Sequence, residues 1–110
     1  MKNHRTERLQ EEIRQAVSSI LLFEVTDPLL KGITLNRVLV TKDLGLARIY
    51  YEVGKGSNRD IITKALEKAR SFIRHQLAGR VNLRLIPAIE FFYDETSEEI
   101  SRVEGLLKKL

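Results

Sequence analysis

Asn58-Arg59-Asp60-Ile61-Ile62-Thr63-Lys64-Ala65-Leu66-Glu67-Lys68-Ala69-Arg70-Ser71-Phe72-Ile73-Arg74-His75-Gln76-Leu77-Ala78-Gly79-Arg80, with Leu85-Ile86-Pro87-Ala88-Ile89-Glu90-Phe91-Phe92-Tyr93-Asp94 a few residues on, decides the fold. Ile62, Ala65, Leu66 and Ala69 recur at helical spacing, and so do Phe72, Ile73 and Leu77. The reading is a helix over 58–69, a small-residue break at Ala69-Arg70-Ser71, a second helix over 71–80, and a strand over 85–94. A sharp junction aims a helix N-terminus, with its free N–H groups and positive dipole end, at an anion. Two helices and a strand of this kind can form half of a small RNA-binding fold.

Working outward, residues 5–22 place Leu9, Ile13, Ala16, Val17, Ile20 and Leu21 on one stripe of an amphipathic helix. Asp27-Pro28 ends it, because the residue before a proline avoids helical angles. Residues 33–41 read as a strand whose alternation slips between Leu35 and Val38, so a bulge is expected near Asn36-Arg37. Lys42-Asp43-Leu44-Gly45 is the hairpin connection, with Gly45 available for positive φ. In the second strand, 46–53, Ala47, Ile49, Tyr51 and Val53 face the helices, while Leu46, Arg48, Tyr50 and Glu52 take the other side. Ser57 is placed to cap the helix that follows. Pro87 restricts its strand to an edge or a start, and Pro87, Ile89, Phe91 and Tyr93 point inward. Residues 97–109 read as a terminal helix with Ile100, Val103, Leu106 and Leu107 as its stripe. The order is α-β-β-α-α-β with an extra helix, an α+β domain whose helices cover one face of a three-stranded sheet and leave the other partly open.

A chain of 110 residues makes one domain, 1–110. Without cysteine there are no disulfides, no thiolate metal sites and no cysteine chemistry. No apolar run approaches the ~20 residues that span a bilayer, and the N-terminus has no apolar secretory segment. The expectation is a cytoplasmic protein with no membrane partner. The net charge of +4 is uneven: from Lys31 to Arg84 there are twelve Lys/Arg against four acids, while the rest of the chain carries seven against eleven. A basic middle between acidic ends suits one face to a polyanion.

The quoted pieces, read with Arg5-Thr6-Glu7-Arg8-Leu9-Gln10-Glu11-Glu12-Ile13, Val25-Thr26-Asp27-Pro28-Leu29, Val38-Leu39-Val40-Thr41-Lys42-Asp43-Leu44 and Ala47-Arg48-Ile49-Tyr50-Tyr51, resemble the ribosome-binding factor A family over nearly the full length. The resemblance implies a type II KH-like domain in which an Ala-x-Gly kink replaces the Gly-rich loop between the helices. Here the kink reads Ala69-Arg70-Ser71, with serine in glycine's place. It further implies a non-enzymatic assembly factor that binds the immature small (30S) ribosomal subunit. That role includes maturation and processing of 16S rRNA, work in cold adaptation, and a functional link to a ribosome-assembly GTPase. No cofactor or metal is implied, and a monomer is the default.

Against that background Lys64, Lys68, Arg70 and Arg74 are candidate phosphate contacts, extended by Arg80 and Arg84, with Arg37, Lys42 and Arg48 of the hairpin as secondary contacts. Tyr50 and Phe92 could stack on bases from the open sheet face. The terminal helix offers a cover, and packing beneath it is the reading adopted. His4 and His75 share no ligand spacing, and Gly54-Lys55-Gly56 is too short to cradle a phosphate. The reading from a different class is a protein-interaction module that uses the open sheet or the acidic ends and does not touch rRNA.

Overall fold

The computed structural model describes residues 4–109, with the backbone alone for 97–101. Ile100 of the expected terminal stripe therefore lies outside the described side chains. Helix α1 spans His4–Ser19 and continues into a π-helical turn, Ile20–Glu24. A short 3-10 turn, Pro28–Leu30, leads into β1, Thr34–Val40, and β2, Leu46–Glu52. Then come α2, Arg59–Ala78, β3, Ala88–Tyr93, and α3, Thr96–Lys108. The sheet order is β1-β2-β3, with β1 and β2 antiparallel and β2 and β3 parallel. A parallel pair needs a crossover, and α2 is that crossover.

The core lies between the sheet and the two long helices. Ile13, Val17 and Ile20 from the first helix meet Ala47, Ile49 and Tyr51 of β2, and Ile62, Leu66, Ile73 and Leu77 of α2, all buried. Of the expected inward sets, Ala47, Ile49 and Tyr51 of β2 and Ile62, Ala65, Leu66, Ile73 and Leu77 of α2 are buried, Val53 and Ala69 are half-buried, and Phe72, expected inward, is instead 42% exposed. The expected bulge is also present, because the β1–β2 register shifts between Leu35 and Arg37. That shift lets Leu35 and Val38 both face inward although their parity differs. Pro87 lies just before β3, an edge strand, where its missing N–H leaves no ladder bond unmade.

Three further local expectations are corrected. Residues 59–78 form one uninterrupted helix, so Ala69-Arg70-Ser71 lies inside α2 and not between two helices. Within an unbroken helix each N–H bonds four residues back, so no second N-terminus is offered to an anion there. The cap of α2 is Asn58, not Ser57: its side chain accepts from the Ile61 N–H at 3.2 Å. In the hairpin the positive φ belongs to Leu44, at 61°, and not to Gly45. Asp43 explains the exchange. Its carboxylate accepts from the Gly45 N–H at 2.9 Å and from the Thr41 hydroxyl at 2.8 Å, which hold its pKa below the usual range. A side chain on Gly45 would meet that carboxylate at 3.2 Å, so glycine serves here by lacking a Cβ.

The π turn that ends the first helix also has a specific partner. Val25 donates to the Ile20 carbonyl at 3.0 Å, the spacing of a π turn. The Lys31 ammonium then donates to the carbonyls of Leu22 and Val25 at 2.6 Å each and of Leu21 at 3.3 Å. A cation at a helix C-terminus satisfies orphan carbonyls and opposes the negative dipole end.

Candidate nucleic-acid interface

The nine basic residues singled out in the sequence are not brought to one face. Lys64 and Lys68 project from the exposed side of α2 and share a shallow groove with Asp27, Leu29 and Ile61. Arg70 and Arg74 lie on average about a third of a turn away from them around the same helix. Both reach toward β3. Arg74 donates from Nε to the Pro87 carbonyl at 3.1 Å and from a terminal nitrogen to Ile86 at 2.7 Å. Arg70 donates to the Ile89 carbonyl at 3.3 Å and pairs with Glu67 at 3.3 Å. These two guanidiniums hold the entry to the edge strand.

Arg80 pairs with Glu24 at 2.8 Å and ties the end of α2 to the π turn. Arg84 stands with Arg74 around a second hollow that includes Asp43, Leu44 and Gly45, so the hairpin tip that carries Lys42 adjoins it. Arg37 and Arg48 lie on the opposite side of the sheet from the helices, because their neighbours in sequence, Val38 and Ile49, point into the core. Among the described residues, Lys42, Arg48, Lys64, Lys68 and Arg84 are exposed and form no ion pair within 4.0 Å.

The packing of Tyr50 and Phe92 differs from the expectation. They occupy the outer sheet face in direct register, their rings stacked with centroids 5.6 Å apart and planes 28° apart. Arg37, in register with Tyr50 from the other side, sits 4.2 Å above the Tyr50 ring. Helix α3 does not cover them. Phe92 is 37% exposed, and the described stripe of α3 stands open, with Val103, Leu106 and Leu107 at 55, 59 and 62%. The parity of β2 and β3 placed both rings on the outer face in advance; the missing cover could not be read from helix periodicity alone.

Arg59 also has a role that the sequence did not signal. Its guanidinium lies 3.7 Å over the Tyr93 ring and 3.0 Å from Glu95, joining the start of α2 to the end of β3. Cation–aromatic contacts of this kind stabilise the link beyond the ion pair itself.

Together the fold and surface define a small α+β binding domain. Among the described residues, no group of three or more His, Cys, Asp and Glu could hold a metal ion. None of the helices among the described residues is long and apolar enough to cross a membrane. The family model described as "Ribosome-binding factor A" matches residues 5–107. The ribosome-binding factor A of Marinomonas sp. (strain MWYL1) is 39% identical over 107 residues, covering 94% of this chain and 83% of that protein. A crystal structure of ribosome-binding factor A from Thermus thermophilus superposes with a TM-score of 0.73 at 25% identity, covering 80% of this chain and 93% of that one. A homology model of the Thermus thermophilus protein, fitted into the cryo-electron-microscopy map of its complex with 30S, superposes with a TM-score of 0.63 at 25% identity. That match covers 87% of this chain and 98% of the other. The chain belongs to the ribosome-binding factor A family, a non-enzymatic family of KH-like fold.

Proposed function

We propose that this protein binds the small ribosomal subunit through rRNA phosphates and acts there as an assembly factor. The observation that carries the reading is the set of five exposed cations, Lys42, Arg48, Lys64, Lys68 and Arg84, that no carboxylate neutralises. Arg70, Arg74 and Arg80, by contrast, are paired or bonded to carbonyls within the domain. Unpaired cations release condensed counterions on meeting phosphates, and that release drives binding. The fitted 30S complex of the Thermus thermophilus relative supports the choice of partner.

Arg37, Arg70, Arg74 and Arg80 belong to this proposal in a second rank, because each already has a partner within the domain. The segment Ala69-Arg70-Ser71 is the centre of a rigid rod that spaces Lys64 and Lys68 from Arg74. Support for 16S rRNA maturation and processing, a place in cold adaptation, a functional link to an assembly GTPase, a monomeric state and a cytoplasmic location are parts of the same proposal. The test is binding to purified subunits across a salt series. Three to five phosphate contacts weaken binding roughly 20- to 500-fold between about 50 and 200 mM salt. Binding that ignores salt would favour the protein-interaction module instead.

A further inference from the structure

We infer that the open face of the sheet is a binding site for an unpaired RNA nucleobase, stacked on Phe92. The inference rests on the RNA-binding reading above and adds base recognition to it, on the side of the sheet away from α2, where Arg48 lies.

The geometry is a row of three side chains across three strands. Arg37 of β1 lies 4.2 Å over Tyr50 of β2, and Tyr50 stacks on Phe92 of β3 with centroids 5.6 Å apart. Both faces of Tyr50 are thereby engaged. Phe92 stands on the edge strand, with Tyr50 stacked on it from β2 and no further strand beside it among the described residues. One further flat group would extend the row, and its exposure of 37% leaves Phe92 accessible to it. An aromatic left open on a sheet face accepts any base, since every base has a π-face.

The adjacent row supplies the rest of a nucleotide's chemistry. Arg48 is two residues from Tyr50 on the same face, about 7 Å along the strand, and Glu90 is its register partner on β3. The two are not ion-paired within 4.0 Å, so each keeps hydrogen-bonding capacity. Arg48 can donate to a phosphate, and Glu90 can accept from an exocyclic amine such as that of cytosine. An aromatic plane, a guanidinium and a carboxylate within one step complement a base, its phosphate and its amino group. Leu39 is the one exposed aliphatic residue in that row, less than a dry protein interface would bring. Paired RNA cannot offer the base, because its faces are already stacked.

The test is the full chain titrated into a fluorescently labelled ten-nucleotide cytosine- and adenine-rich RNA, read by anisotropy, beside sedimentation with small subunits. Phe92→Ala and Phe92→Leu are expected to weaken oligonucleotide binding by about 5- to 160-fold, the range of one base–aromatic stack, while Phe92→Tyr stays near the parent. Phe92→Leu keeps an apolar side chain of similar bulk, so it separates loss of the π-face from loss of folding. Parent-like oligonucleotide binding by Phe92→Leu overturns the stacking site; the subunit reading then stands if Lys64→Glu/Lys68→Glu still impairs sedimentation. Loss of subunit binding by Phe92→Leu with unchanged oligonucleotide binding also overturns it, and assigns the face to a ribosomal protein. Binding of neither RNA nor subunits by the parent at low salt overturns both.

Discussion

The Asn36 side-chain amide donates to an Asp94 carboxylate oxygen at 3.0 Å, joining the bulge of β1 to the residue that follows β3. Asp94 is 7% exposed and also accepts from the Thr96 N–H at 3.0 Å. These hydrogen bonds, Asn36's foremost, hold its carboxyl below the usual range, with the charge of Arg37 a smaller contribution. A depressed carboxyl stabilises the fold above its ordinary pKa, and that stability is lost as pH falls through the folded value. Asn36→Ala is therefore expected to cost about 1–3 kcal/mol at pH 7. The gap from the parent should narrow below about pH 4 as Asp94 protonates in both. Urea denaturation at pH 7, 5 and 3 checks this; a gap that is constant with pH would contradict it.

The uninterrupted course of α2 through Ser71 has its own consequence. An exposed serine inside a helix is about 0.5 kcal/mol less favourable than alanine, and glycine is worse again by a similar amount. Ser71→Ala should raise stability and Ser71→Gly lower it, each by about 0.5 kcal/mol. Thermal denaturation of the pair is the check. If Ser71→Gly stabilises the domain, the backbone there demands angles outside an ordinary helix.

The two basic sets on α2 should separate in experiment. Arg70 and Arg74 donate to carbonyls of residues 86, 87 and 89. A glutamate at either site turns a carboxylate toward those oxygens. Arg70→Glu/Arg74→Glu is expected to lower both stability and subunit binding, the stability by about 2–4 kcal/mol. Lys64→Glu/Lys68→Glu, on exposed and unpaired positions, should weaken binding tenfold or more and leave stability within about 0.5 kcal/mol. Circular dichroism melts alongside sedimentation distinguish the two.

Much of the architecture could be read from local patterns. Ile62, Leu66, Ile73 and Leu77 announced the buried face of α2, and the parity change between Leu35 and Val38 announced the bulge, because each is a period set by backbone geometry. What escaped depends on atoms distant in sequence or on small energy differences. Ala69 and Ser71 suit either a break or a helix, and packing of Ala65, Leu66 and Ile73 beneath them decides for the helix. Whether Lys64 or Arg74 stays free is settled by where residues 86 and 87 pass, which no spacing within α2 records. The candidate interface was legible as a charge imbalance; the division of its basic residues among the outer helix, the edge-strand entry and the open sheet face was not.

The measurement that bears most directly on the whole account is co-sedimentation of the full chain with purified small and large subunits from about 50 to 300 mM salt. Selective binding to small subunits that weakens steeply with salt, and that Lys64→Glu/Lys68→Glu reduces at every concentration, is the expected result. Equal binding to both subunits, or no binding at the lowest salt, would contradict it.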